Sequence, residues 1–225
     1  MSNSILADYS SCEISDALLK LGVPHGGHIP DLRPFSPSED ARICGPAYTV
    51  RMVLTSDASA PKLQGHFVDM IPEGTVAFIA APPEAQNAVW GGLMTAGAKV
   101  RGCRGTIVYG RVRDVVEHRA ASHPVFARGT STVGQSPYTR AAEVQVPVTV
   151  NAEAGPGGLP PVQINPGDIL VADTDGVVCV PKELEIKVAE RAAEGRAVDA
   201  RCAEDIARGV GVAESFKRHR GKGKL

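Results

Sequence analysis

Two short stretches of this chain carry residue types that could do chemistry together. Gly91-Gly92-Leu93-Met94 opens a run with helical spacing. The first turn of a helix offers free backbone N–H groups and the positive end of its dipole to an anion such as a carboxylate. Two glycines there let a ligand come close to the backbone. Further on, Arg113-Asp114 pairs a guanidinium with a carboxylate. The guanidinium's parallel donors suit a carboxylate or a developing enolate oxygen, and the aspartate suits a hard divalent cation. Each motif also has a purely structural reading. The glycines could simply form a tight strand-to-helix turn, Asp114 could be a helix N-cap, and Arg113 could be a solvated surface charge.

The elements around these residues decide between the readings. Val76 to Ala80 and Thr106 to Tyr109 are short and nearly all apolar, as expected of strands covered on both faces. Between them, Gly92 to Val100 has helical periodicity. Strand, helix and strand with short joints predict a βαβ unit with parallel strands. Such a unit places the start of its helix and the end of its second strand at one sheet edge, where open α/β sheets usually hold ligands. Leu93 and Arg113, 20 residues apart, are therefore expected to meet. A further helical run follows Asp114 through Val115, Val116 and His118.

Elsewhere, Ser10-Ser11-Cys12-Glu13 has the form of a capping box, and the apolar spacing after it predicts a first helix over 11–21 with Gly22 as its stop. Val23 to Asp40 holds Pro24, Pro30, Pro34 and Pro37 besides Gly26-Gly27, a composition that predicts an ordered surface loop and excludes a central strand. Strands are predicted over Ala47 to Val53, Val146 to Val150, Ile169 to Ala172 and Val177 to Val180. Tight turns at Pro166-Gly167-Asp168 and Asp175-Gly176 make the second half look antiparallel. Leu184, Val188 and Ala192 among Glu, Lys and Arg mark a long amphipathic helix from Pro181 to Arg208, softened at Gly195, before a short helix over Val212 to His219.

The 225 residues are 43% hydrophobic, enough for a full core, and we read a single α/β domain over 1–216 with a basic, mobile tail over 217–225. With 24 basic and 25 acidic residues, no global field favours nucleic acid or an anionic membrane as a partner. No apolar run reaches the roughly 20 residues that span a bilayer, and the N-terminus lacks the marks of a signal peptide, so a soluble, cytoplasmic protein is expected. Cys12, Cys44, Cys103, Cys179 and Cys202 are odd in number and scattered, which predicts reduced, mostly buried thiols.

The stretch Asn87 to Asp114, NAVWGGLMTAGAKVRGCRGTIVYGRVRD, resembles the signature of the RraA-like family, which includes 4-hydroxy-4-methyl-2-oxoglutarate aldolases with oxaloacetate decarboxylase activity. Similar segments are EISDALLKLG near the start, ICGPAYTV at Ile43 to Val50, and GDILVADTDGVVCVP at Gly167 to Pro181. The resemblance implies an α/β/β sandwich of the swivelling phosphohistidine-domain type, with an N-terminal helix and a long C-terminal helix. It also implies a homotrimer or a dimer of trimers with the active site between subunits. By position, Asp114 would ligate Mg²⁺ or Mn²⁺, Arg113 would contact the oxo group of a 2-oxo acid substrate, and the Leu93 and Met94 amides beside Gly91 and Gly92 would bind its carboxylate. An acidic residue of the neighbouring C-terminal helix, Asp199 or alternatively Glu204, would hold metal-bound water.

Two positions depart from the family pattern: Gly92 and Tyr109 stand where aspartate is common. The resemblance also carries a second reading, a non-enzymatic regulator that binds an RNA-degrading enzyme. Other features read as structural. The His25 and His28 pair lacks a third ligand, Asp173 and Asp175 lack the rest of a calcium loop, and His66 and Asp69 suit a surface helix face. Lys217, Arg218, Arg220, Lys222 and Lys224 lack interleaved aromatics and so suit a solvated end better than a nucleic-acid site.

Overall fold

The computed structural model describes residues 4–37, 41–150 and 158–221. Helix α1 (Ser11–Lys20) begins with the expected capping box, the Ser10 side chain accepting from the Glu13 N–H and Glu13 from the Ser10 N–H. The proline-rich stretch is not all loop: it contributes β1 (His28–Ile29) and β2 (Arg33–Ser36). Both occupy the outer ends of the sheet, where a proline such as Pro34 breaks no ladder on its free side. Residues 38–40 of that stretch lie outside the described residues.

The strand expected over Ala47 to Val53 is longer, β3 (Ile43–Leu54), and is followed by β4 (Val76–Ala80), β5 (Ala88–Trp90), α2 (Gly92–Val100) and β6 (Gly105–Val112). Next come α3 (Val115–Ala120), β7 (Val125–Thr130), β8 (Thr139–Val144), β9 (Val148–Val150), β10 (Val162–Ile164), β11 (Ile169–Asp173) and β12 (Gly176–Val180). Helices α4 (Glu185–Ala207) and α5 (Val212–His219) end the described fold. The main sheet runs β1-β12-β11-β3-β4-β6-β7-β2, with β5 added on β6 and β8 on β3, while β9 and β10 pair separately.

The βαβ expectation holds, because β4 and β6 are parallel neighbours in register from Val76 and Gly105 to Ala80 and Tyr109. The antiparallel expectation holds for β11 and β12, joined at Asp173 and Gly176. It fails for β7, which is parallel to β6. Strands β5, β7, β8 and β10 had no clear sequence signal: they are three to six residues long, and the longer two carry charged residues where alternation would have to show.

Alternation along the central strands divides the interior. Val76 and Phe78 of β4, Ile107 and Tyr109 of β6, Leu170 and Ala172 of β11 and Val177 and Cys179 of β12 share one core. Their neighbours Ala77, Ile79, Val108 and Val112 face a second core with Trp90 and Ala98. On the far side, Val171, Val178 and Val180 meet Ile14, Leu18, Val188 and Ala192 of α1 and α4. The result is a mixed α/β architecture in which two leaves of sheet face each other and helices cover their outer sides. Because side chains alternate with period two, a one-residue slip in any central strand would exchange its two cores.

Helix α4 is unbroken across Gly195, contrary to the expected softening. Its packing on α1 supplies what the glycine lacks in propensity, roughly 1 kcal/mol relative to alanine. Arg196 binds the Glu13 carboxylate through two contacts of 2.6 and 2.7 Å and lies over the Tyr9 ring. The basic segment expected to be mobile from Lys217 is helical through His219, with Arg218 paired to Glu214 and Asp205; Lys222 and Lys224 lie outside the described residues. Cys103, Cys179 and Cys202 are buried, Cys12 is exposed, and all five thiols are free. No helix among the described residues is long and apolar enough to cross a membrane.

The Arg196 guanidinium holds the Glu13 carboxyl at about 2, below its ordinary 4.5. A carboxyl depressed on folding stabilises the fold above its unfolded value and loses that contribution as pH falls through the folded one. Glu13→Gln should lower unfolding free energy by about 1 kcal/mol at pH 7, the scale of a partly exposed ion pair and cap. The difference from wild type should vanish between pH 4.5 and 2, read by urea denaturation at stepped pH.

Candidate functional site: a glycine turn facing Arg113 and Asp114

The site forms where β5 enters α2 and β6 enters α3. The Arg113 N–H donates to the Trp90 carbonyl at 3.0 Å, which brings the two junctions side by side. The first intrahelical bond of α2 runs from the Thr95 N–H to the Gly91 carbonyl. The amides of Gly92, Leu93 and Met94 therefore have no partner within the helix. Asp114 Oδ2 accepts the Gly92 N–H at 3.0 Å. Asp114 thus occupies the N-cap position of α3 without capping it, since its side chain makes no bond to its own helix. It caps α2 instead.

Asp114 takes a left-handed backbone conformation, φ 60 and ψ 40, which costs a non-glycine residue on the order of 1 kcal/mol. That conformation turns the carboxylate toward the glycines. A Cβ at Gly91 would lie 2.7 Å from Asp114 Oδ2 and 3.3 Å from both Cγ and Nε of Arg113. Glycine is thus required for the close approach. Arg113 Nε is 3.4 Å from Asp114 Oδ2, and its Nη1 runs past Gly134. Among the described residues, no protein acceptor takes the terminal Nη donors of Arg113, and Asp114 Oδ1 has no partner. Both side chains are partly exposed, 47% and 33%.

Beneath this surface a buried hydrogen-bond chain joins the two junctions. Trp90 Nε1 donates to Thr95 Oγ1 at 2.8 Å, and Thr95 Oγ1 lies 2.9 Å from His118 Nδ1. Burial pushes the His118 pKa down, opposed by the Arg113 backbone carbonyl and the Asp114 charge. The Thr95 oxygen thus joins the indole and the imidazole, while His118 Nε2 is buried without a hydrogen-bond partner among the described residues. Sequence reasoning missed this chain. Its only signal was that Trp90, Thr95 and His118 are polar groups within runs otherwise expected to be core.

Sequence reasoning also missed Glu117, whose carboxylate reaches across to α2. A Cβ at Gly92 would lie 1.6 Å from Glu117 Oε2. Its position three residues after Asp114, on the same helical face, was the available sign. Tyr109, the other departure from the family pattern, is packed in the core with its ring under Arg128.

The structure does not bring every expected residue to this point. Within one chain, Asp199 pairs with Arg220 at 2.5 Å and Glu204 with Arg208 at 3.6 Å, both on the C-terminal helices. His25 accepts the Gly27 N–H, Asp173 holds the start of α1 through Ser11, and His66 and Asp69 are exposed at a 3₁₀ turn. These are structural roles, as expected. No group of three or more His, Cys, Asp or Glu side chains suited to a metal occurs among the described residues.

The fold and site define a class: mixed α/β proteins that set an Arg-Asp pair against a glycine-rich helix start. The family model described as RraA-like, Aldolase/RraA, matches residues 11–179, and the chain belongs to that family. It is 31% identical over 205 residues to Protein DlpA of Legionella pneumophila, an alignment that covers 91% of this chain but 31% of that protein. A Halalkalibacterium halodurans protein carrying the name "Putative 4-hydroxy-4-methyl-2-oxoglutarate aldolase" is 32% identical over 162 residues, 72% of this chain and 70% of its own length. Among solved structures, an uncharacterized protein from Pseudomonas syringae superposes with a TM-score of 0.77 at 27% identity, covering 94% of each chain.

Thr95→Val keeps the shape of the side chain and removes the hydroxyl. It should cost about 2 kcal/mol by leaving a buried indole N–H and an imidazole nitrogen unpaired, measured as a lower midpoint in thermal or urea unfolding.

Proposed function

We propose that this chain is a divalent-metal-dependent carbon–carbon lyase that yields pyruvate from small 2-oxo acids, by decarboxylating oxaloacetate or by retro-aldol cleavage of substrates like 4-hydroxy-4-methyl-2-oxoglutarate. The observation that carries this reading is the meeting of Asp114, Arg113 and the α2 amides across 22 residues of sequence. The donor chemistry fits Mg²⁺ or Mn²⁺: Asp114 Oδ1 is a hard oxygen with no protein partner, held by a backbone bond to its sister oxygen. Gly91 leaves open the space that a Cβ would take beside it. When bound, held by Asp114, the cation would act as a Lewis acid toward the 2-oxo acid.

The chain's own groups account for the rest. Asp114 holds the cation. The Leu93 and Met94 amides, at the positive end of α2, bind the substrate carboxylate, and the absence of side chains at Gly91 and Gly92 lets it approach. As the bond to the departing carbon breaks, its electron pair moves toward the oxo oxygen, and the Arg113 guanidinium donates hydrogen bonds to that growing charge. In decarboxylation the departing group leaves as carbon dioxide; in aldol cleavage it leaves as a carbonyl compound, its hydroxyl proton passing to solvent water, and in both routes the enolate takes a proton from solvent to give pyruvate.

The site's exposure supports completion by a second copy of the chain. Leu93 and Val100, on one face of α2, and Val116 of α3 are 84%, 86% and 77% exposed. We read this as one face of a homotrimer or dimer of trimers, in which Asp199 or Glu204 of a neighbour approaches the cation. The two facing leaves of sheet fit a sandwich of the swivelling phosphohistidine-domain type, and the one domain proposed over 1–216 is better drawn through the end of α5 at His219. The free thiols fit a cytoplasmic location. The other reading, a protein-binding regulator of an RNA-degrading enzyme, has no use for the Arg113-Asp114 and glycine-turn geometry.

Asp114→Ala should lower metal-dependent pyruvate release from oxaloacetate by at least about 100-fold, the scale of losing a group that stabilises developing charge. A rate equal to wild type above the metal-only background overturns the assignment. Arg113→Lys, which keeps the charge and loses the fork, should lower kcat more than it raises KM in the same coupled assay. Wild-type chain that turns over no 2-oxo acid with either cation, yet captures a purified ribonuclease, would favour the regulator.

A further inference from the structure

Glu117 is the acidic group nearest this site that the reading above does not use. It stands at the third position of α3, where a glutamate ordinarily reaches back to the N-cap amide of its own helix. It does not do so. Its side chain crosses to α2, so that a Cβ built on Gly92 would meet Oε2 at 1.6 Å, Cδ at 2.6 Å and Cβ at 3.0 Å. The whole side chain therefore lies over the bare Cα of residue 92. Among the described residues, its carboxylate has no hydrogen-bond or ion-pair partner. Gly92 also donates its N–H to Asp114 Oδ2, so two carboxylates from α3 converge on one glycine of α2. The Gly92 backbone does not have a positive φ, and conformational freedom is no reason for glycine there. The space is.

We propose that Glu117 is a positioning residue of the cation site, supplying the second negative charge that a hydrated divalent ion at Asp114 meets, and that Gly92 is glycine because this carboxylate occupies its side-chain space. This rests on the reading of Asp114 as the cation ligand. Residues 92 and 117 are then two alternative origins for one acidic group. A side chain at 92 displaces the Glu117 carboxylate, and an acid at 92 can replace it.

The test is Mn²⁺ binding by the full chain, followed by isothermal titration and by the loss of the free-ion electron paramagnetic resonance signal, with melting temperature as a check on folding. Glu117→Gln should weaken Mn²⁺ binding about 10- to 100-fold, the range seen when groups supporting a metal ligand are removed. Its melting temperature should not change, because the side chain has no partner to lose. Gly92→Ala, which displaces the carboxylate without removing it, should weaken binding in the same direction. The double variant Gly92→Asp/Glu117→Ala should recover affinity relative to Glu117→Ala alone. Wild-type affinity in Glu117→Gln, with binding lost in Asp114→Ala, overturns this inference and leaves the lyase reading standing. A wild-type chain that does not bind Mn²⁺ overturns both.

Discussion

A single hydrogen bond, from the Gly92 N–H to Asp114 Oδ2, is the point on which the local structure turns. It ties the start of α2 to the start of α3 and satisfies a helix-end donor that would otherwise face solvent or a ligand. A charge-assisted bond of this kind is worth roughly twice a neutral one, enough to offset the left-handed backbone that Asp114 adopts to make it. It also decides which oxygen of the carboxylate is used up. Oδ2 is committed to the protein and Oδ1 is left for something else.

That bond can form only because the sheet holds the two junctions in register. β4, β5 and β7 are all parallel neighbours of β6 or pair along it, so β6 is fixed on both sides before it delivers Arg113 and Asp114. The Trp90, Thr95 and His118 chain then fixes the depth at which the two helices start. A buried polar chain is costly when one member is missing and specific when all are present. Here it lies below the turn that carries Asp114 and the α2 amides and joins the two helix starts. The surface layer above it, with Leu93, Val116 and the Arg113 guanidinium exposed, is free to meet a ligand or another chain.

Two acidic side chains, Asp114 at the N-cap of α3 and Glu117 in its first turn, meet the start of α2 at Gly92. Moving an acid from one helix to the other leaves the charge at the turn and changes which backbone carries it. At Gly92, a position that departs from the family pattern, a side chain from the facing helix takes the place of one on α2. The void left by the missing side chain is filled.

The sequence by itself determined the βαβ unit, the capping box of α1, the bounds of α2 and the placing of the glycine turn beside Arg113 and Asp114. Each rests on periodicity or on residues adjacent in sequence, and a pattern repeated every 2.0 or 3.6 residues survives in one dimension. Short strands such as β5 and β10 carry too few residues to show a period, and β7 and β8 are placed by neighbours distant in sequence. Only the tertiary structure decided that Asp114 caps a helix other than its own and that Glu117 fills the space at Gly92. It alone also showed the buried histidine fixing the turn. Those facts depend on the relative position of two helices to within an ångström, set by the packing of a whole sheet between them rather than by any local run of residues.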